Sequence, residues 1–122
     1  MANDPQDAAR VLVVEDEALV AEDLSRLVTA LGYPVVAVTD SGEEAVELAN
    51  ALRPDLVLMD LNLRGAMNGL EAGSVIQESV AATVIYVSAN VSIRSHSYFV
   101  QKPFSRAAVS NALTSALAGL PA

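Results

Sequence analysis

No cysteine occurs among the 122 residues. A disulfide scaffold, a thiolate metal site and a cysteine nucleophile are therefore excluded, and the composition fits a reducing compartment. Tryptophan is absent, and a single histidine excludes any site that needs two from one chain. Basic charge is scarce: 7 Lys and Arg against 15 Asp and Glu leave a net charge of −8. Such a surface repels nucleic acid and anionic membrane, so direct binding to either is not expected. Long apolar runs are also missing. Hydrophobic residues reach 52 %, yet no unbroken stretch approaches the ~20 residues of a membrane span. Met1 to Asp7 holds neither a basic region nor an apolar run, so it is not read as a signal peptide. A cytoplasmic location is the default expectation.

What is present is an alternation of short β-branched runs and longer helical patterns. Size scaling buries about two-thirds of the surface of such a chain, enough for one domain with its own core. We read residues 1–9 as a flexible leader, 10–118 as the domain and 119–122 as a tail. Val11-Leu12-Val13-Val14 and Leu56-Val57-Leu58-Met59 are continuous apolar runs, too short for helices, with the look of strands buried on both faces. Val35 to Val38, Thr83 to Val87 and a short Tyr98 to Gln101 supply three more strands. Between them, Val20, Leu24, Leu27, Val28 and Leu31 recur at helical spacing, and Gly32 then Pro34 stop that helix. Ser41 to Glu44 reads as a capping box for a helix carrying Ala45, Leu48, Ala49 and Leu52, which Pro54 ends. Asn68 and Glu71 cap a helix through Ala72, Val75 and Ile76, and Ser105 caps a last one carrying Val109, Leu113 and Ala116. Alternating strands and helices predict a doubly wound α/β fold with a parallel sheet covered on both faces. Ligands of such sheets bind beyond the carboxyl ends of the strands.

Charged and hydroxyl residues stand at those ends. Glu15, Asp16 and Glu17 follow the first strand, Asp60 the third, Ser88 the fourth and Lys102 the fifth. Carboxylates brought that close raise one another's pKa unless a cation sits among them. Mg²⁺, a hard ion that takes oxygen ligands, meets that need. Glu17 is set apart, because an acid suits the first turn of a helix. Lys102 is the only lysine beside six arginines, and its ammonium is a compact charge that can follow a phosphoryl or carboxylate oxygen. Ser88 can donate to an incoming oxyanion; as a nucleophile it lacks a Gly-x-Ser-x-Gly context, and His96, the sole candidate base, sits in a polar loop.

These residues in this order resemble the receiver domain of bacterial two-component response regulators. The matching pieces are Val13-Val14-Glu15-Asp16, Asp55 to Asp60, Val87-Ser88-Ala89 and Lys102-Pro103-Phe104, and the resemblance covers roughly Arg10 to Leu117. It implies a flavodoxin-like five-stranded parallel sheet in the order 2-1-3-4-5. It implies that Asp60 is the phosphoacceptor for a histidine kinase or a phosphotransfer protein, in a phosphorelay or direct phosphoryl transfer. Glu15, Asp16, Asp60 and the backbone carbonyl of Asn62 would hold Mg²⁺, with Ser88 and Lys102 on the phosphoryl oxygens. Ser88 and Phe99 would form the switch, and the Lys102–Pro103 bond would be cis. Such a chain is not an enzyme in the ordinary sense, since it promotes only its own phosphorylation and dephosphorylation. Asn62 and Asn90 occupy positions that tune dephosphorylation in the family.

The chain departs from the family pattern in three places. Serine replaces the commoner threonine at Ser88. The loop after Asp60 lacks a frequent proline and looks one residue long. Only nine residues, Ala89 to Ser97, separate strands four and five, fewer than the roughly 10–12 of a full parallel crossover. The fourth of the family's helices is therefore expected to be abbreviated or absent, and the short link can let strand five and the last helix exchange between subunits in a homodimer. Two other function classes compete: a phosphorylation-independent pseudo-receiver that only binds partners, and a Mg²⁺-dependent phosphatase with Asp60 as nucleophile. The phosphatase lacks a second acid where Asn62 stands and a domain to cover the site. The downstream protein target is not readable from the chain.

Overall fold

The computed structural model describes residues 9–89 and 98–119. Five strands, β1 (Val11–Val14), β2 (Val35–Thr39), β3 (Leu56–Asp60), β4 (Thr83–Ser88) and β5 (Phe99–Gln101), form one parallel sheet in the order β2-β1-β3-β4-β5. The central strands are those with continuous apolar runs. Every residue of β1 and β3, and every residue of β4 from Val84 on, is buried, as a parallel sheet covered on both faces requires. The edge strands β2 and β5 are only partly covered.

Four helices cover the described sheet: α1 (Ala18–Ala30), α2 (Gly42–Leu52), α3 (Gly69–Ser79) and α4 (Arg106–Ala118). Alternate strand residues feed opposite cores. Val11, Val13, Leu56, Leu58, Ile85 and Val87 pack against Leu24 and Val28 of α1 and Val109 and Leu113 of α4. Leu12, Val14, Val57, Met59, Val84 and Tyr86 pack against Ala45 and Ala49 of α2 and Ala72 and Ile76 of α3. The flavodoxin-like, doubly wound sheet expected from the sequence is the one observed. The expectation of an abbreviated or absent helix between strands four and five falls on residues 90–97, outside the described residues, as do Asn90 and His96. Ala9, assigned above to the leader, is buried at 2 % exposure in the first core.

Local signals hold with one exception, Glu44. Ser41, Asn68 and Ser105 each accept a backbone N–H three residues on, and Asn68 with Glu71 forms a complete capping box. Glu44 does not reach back to its cap; its carboxylate takes the Thr39 hydroxyl instead. Helix α2 ends one step before Pro54, on Arg53 in a left-handed conformation (φ 52°). The Arg10 guanidinium donates to the Leu52 and Arg53 carbonyls there, at 2.6 and 3.1 Å. Long-range bonds of this kind tie down a cap that is unusual for a non-glycine residue.

Strand register levels the site. Val14 pairs with Met59, Asp60 with Val87, and Ser88 with Gln101. Glu15 and Asp60 consequently emerge level with one another, Ser88 one residue step and Lys102 two steps farther along the sheet's carboxyl edge. The β3–α3 loop is held close beneath it: a Cβ at Gly69 would collide with the Asp60 carbonyl oxygen and stand 2.8 Å from Leu61 Cα. Both obstacles are backbone and cannot rotate away. Gly69→Ala is accordingly expected to lose about 3 kcal/mol of stability, the upper range for an overpacked site. Urea unfolding tests this, and a loss under about 0.5 kcal/mol would contradict the close approach.

Candidate functional site

The carboxyl edge gathers Glu15, Asp16 and Asp60 so that one carboxylate oxygen from each lies within 4.8 Å of the others. Glu15 and Asp60 are each 2 % exposed. The Lys102 ammonium reaches in from the end of β5, 2.8 Å from Glu15 Oε1 and 3.5 Å from Asp60 Oδ2. Backbone groups orient the acids. The Glu17 N–H donates to Glu15 Oε2 at 3.1 Å, and the Asn62 N–H donates to Asp60 Oδ1 at 2.9 Å. Glu17 itself is the N-cap of α1. Lys102 is anchored by its own N–H, which donates to the Ser88 carbonyl at 2.9 Å. The Lys102–Pro103 bond is cis.

The charges do not balance. Glu15 Oε1 and Asp16 Oδ2 are buried and receive no well-aligned hydrogen bond; the nearby Lys102 and Arg64 offer charge without good bonding geometry. Burial first, and then contact with Asp60, push the Glu15 carboxyl up to about 7, against the pull of Lys102 and the Glu17 N–H. Burial alone would lower the Lys102 pKa; Glu15 and Asp60 more than offset this, and the net shift is upward. An all-oxygen donor set with surplus negative charge, two of its buried oxygens met only by ionic contacts, fits a hard divalent cation. A groove of about 560 Å³ opens beside the acids, lined in part by Glu22, Thr39, Asp40 and Glu44. On the Lys102 side a second hollow of about 440 Å³ is lined by Val20, Asp23, Ala89, Pro103 and Phe104.

Residues 11–114 match the family described as the response regulator receiver domain. The chain belongs to that family. It is similar to the transcriptional regulatory protein PdtaR of Mycobacterium tuberculosis, at 40 % identity over 80 residues, 66 % of this chain and 38 % of that protein. It is 33 % identical to the phyllosphere-induced regulator PhyR of Methylorubrum extorquens over 117 residues, 90 % of this chain and 44 % of that protein. The receiver thus spans less than half the length of either relative. Among solved structures, the PhyR receiver domain of Erythrobacter litoralis matches with a TM-score of 0.83 at 27 % identity, covering 93 % of both chains. A receiver domain of a modulated diguanylate cyclase from Desulfovibrio desulfuricans matches with a TM-score of 0.82 at 30 % identity, covering 89 % of this chain and 93 % of that one. The protein is therefore a signalling module of two-component systems. Among its described residues no helix is long and apolar enough to cross a membrane.

Of the residues singled out in the sequence, Glu15, Asp16, Asp60 and Lys102 form one contact cluster in this receiver, and Ser88 is buried at the tip of β4. Asn62 stands beside Asp60 through its backbone, its side chain exposed. Phe99 lies apart from the cluster: it is half-buried, opposite Tyr86 in the β4–β5 register, and packs on the core between sheet and α3. Two participants escaped the sequence reading. Arg64 lies against Asp16, and Gly73 leaves the room on α3 that the Tyr86 ring fills. Burial raises the Tyr86 pKa.

The raised Glu15 pKa predicts a pH dependence in metal-free protein. The folded state holds this proton up to about pH 7, whereas the unfolded chain releases it near 4.5. The folded state binds more protons across that window, so stability falls as pH rises through it and levels off above it. Glu15→Gln removes the effect. In urea unfolding with chelator, the variant is expected to gain on the wild type by on the order of 2 kcal/mol between pH 5 and pH 8. A difference independent of pH would refute the raised pKa.

Proposed function

We propose that this receiver is a phosphoacceptor, with Asp60 taking a phosphoryl group from a phosphorylated histidine of a kinase or phosphotransfer protein. The observation that carries this reading is the Lys102 ammonium shared between Glu15 and Asp60 inside a cluster of three carboxylates. A carboxylate oxygen of Asp60 attacks phosphorus; the new P–O bond forms as the donor's P–N bond breaks, and the imidazole leaves with the electron pair. The Asn62 N–H holds one Asp60 oxygen and so fixes the carboxylate for attack. Lys102 offsets charge on the phosphoryl oxygens, and the Ser88 hydroxyl donates to another. Glu15, Asp16, Asp60 and the Asn62 carbonyl would hold Mg²⁺, which when bound neutralises phosphoryl charge. The product aspartyl phosphate is hydrolysed at the same site, so turnover of outside substrates is not its role. Ser88 and Phe99 form the proposed switch.

Output is proposed to be a change in protein–protein contact. With a net charge of −8 the surface favours a protein partner over nucleic acid. A similar protein, PhyR of Bartonella quintana, is called an anti-anti-sigma factor; a regulatory protein is the class of partner proposed for this chain.

NMR of the chain with Mg²⁺, before and after beryllofluoride, tests the proposal. Shifts at Asp60, Ser88 and Lys102 that vanish in Asp60→Asn are expected. Lys102→Ala, which strips the ammonium from the cluster, is expected to slow phosphorylation by about a hundredfold, as losing one charge-stabilising group does. A folded chain that responds to neither Mg²⁺ nor beryllofluoride would leave the phosphorylation-independent binding module in place of the phosphoacceptor.

A further inference from the structure

The loop between β3 and α3 delivers a second cation to the acids. Leu61 and Leu63 are buried in the core between the sheet and α2–α3. Their alternation turns Asn62 and Arg64 outward, both exposed. The loop is braced again farther on, where the Met67 carbonyl lies so near Gly42 that a Cβ there would stand 2.7 Å from it. Arg64 is thus presented at the mouth of the cluster, with Nε 3.4 Å from Asp16 Oδ2. The two partners differ in kind. The Asp16 side chain is 12 % exposed and that of Arg64 is 86 % exposed. Asp16 Oδ2 is buried and receives no aligned hydrogen bond, so this loose ionic contact is its partner among the described residues. Lys102 is held differently: its side chain is 17 % exposed and faces two acids at once.

We propose that Arg64 is a displaceable counter-ion that competes with the divalent cation for Asp16 and thereby sets the metal affinity of the site. The proposal rests on the metal-dependent reading above. An exposed guanidinium holds a carboxylate weakly, because solvent screens the pair and the long side chain loses freedom in making it. It can therefore leave when a dication arrives. While it remains near, it both occupies the Asp16 carboxylate and repels the incoming charge. Arg64 is a positioning and affinity residue in this scheme, distinct from Lys102, which stays in the cluster.

The test is calorimetric titration of MgCl₂ alone into the full chain at low ionic strength. Arg64→Ala is expected to bind Mg²⁺ about three- to tenfold more tightly than wild type, the range set by one weak ion pair and one screened repulsion. Arg64→Lys keeps the charge and is expected within twofold of wild type. Arg53→Asn removes the same charge at the far end of the sheet, at a left-handed position (φ 52°) that asparagine accepts; it is also expected within twofold, which separates a local effect from net charge. The Arg64→Ala advantage is expected to shrink in 0.5 M NaCl, where screening is strong. Thermal unfolding checks that each variant folds. Equal or weaker binding by Arg64→Ala, with wild type binding Mg²⁺, overturns the competition and leaves the phosphoacceptor reading intact. No binding by any folded chain overturns the metal reading and this proposal together.

Discussion

Two buried carboxylates and a third at their side, held within 4.8 Å of one another, repel, and folding has to hold them there. The N–H groups of Glu17 and Asn62 orient Glu15 and Asp60 locally, but they do not bring the acids together. The arrangement is imposed by the register of β1 on β3, which sets Val14 beside Met59 and so the two acid-bearing tips side by side. That register is enforced by burial on both faces, since a slip of one residue would exchange the two cores. The apolar runs of β1, β3 and β4 therefore do more than stabilise the domain. They fix the separation of the charges at their ends.

The same backbone links the cluster to distant surfaces. Asp60 is followed by Leu61, whose N–H donates to the Val87 carbonyl at 3.1 Å; Ser88 then accepts from Lys102 N–H at 2.9 Å. One short chain of bonds thus joins β3, β4 and the end of β5. On the other side of Asp60, the carbonyl abuts Gly69 and through it the first turn of α3. A change of charge at Asp60 is felt first by these neighbours. Tyr86, two residues before Ser88 in β4 and opposite Phe99 in β5, fills the hollow left by Gly73. Its ring lies between the proposed switch residue on the edge strand and helix α3.

The parts of the fold that could be read from sequence are those where one physical requirement acts locally. Central parallel strands need continuous apolar runs, and β1, β3 and β4 have them. Serine and asparagine caps act within three residues, and Ser41, Asn68 and Ser105 do so. Acids directly after buried runs marked Glu15, Asp16 and Asp60. The rest depended on partners far along the chain. Glu44 was read as half of a capping box, but Thr39 at the end of β2 offered a closer donor. Arg53 takes a left-handed cap with Arg10 bonded to its carbonyl, 43 residues away in sequence. Gly69 and Gly73 carry no sign in the sequence of what approaches them. Arg64 was not singled out in the sequence, because only the burial of Leu61 and Leu63 aims it at Asp16.

The surplus of negative charge at the strand tips can be met in three ways, and the structure holds features suited to each. Three carboxylates against the Lys102 ammonium leave two negative charges, the charge a divalent cation neutralises. Without one, Glu15 retains a proton up to about pH 7, which removes one charge from the deepest part of the cluster. Arg64 partly screens another from outside, at Asp16. Proton and guanidinium are both reversible, and both must yield as the cation enters. A site neutralised by a second lysine would be more stable and could not make that exchange. The single permanent cation, Lys102, is thus matched by two replaceable ones, and the excess acid that strains the fold is what keeps the site open to a metal and, through it, to a phosphoryl group.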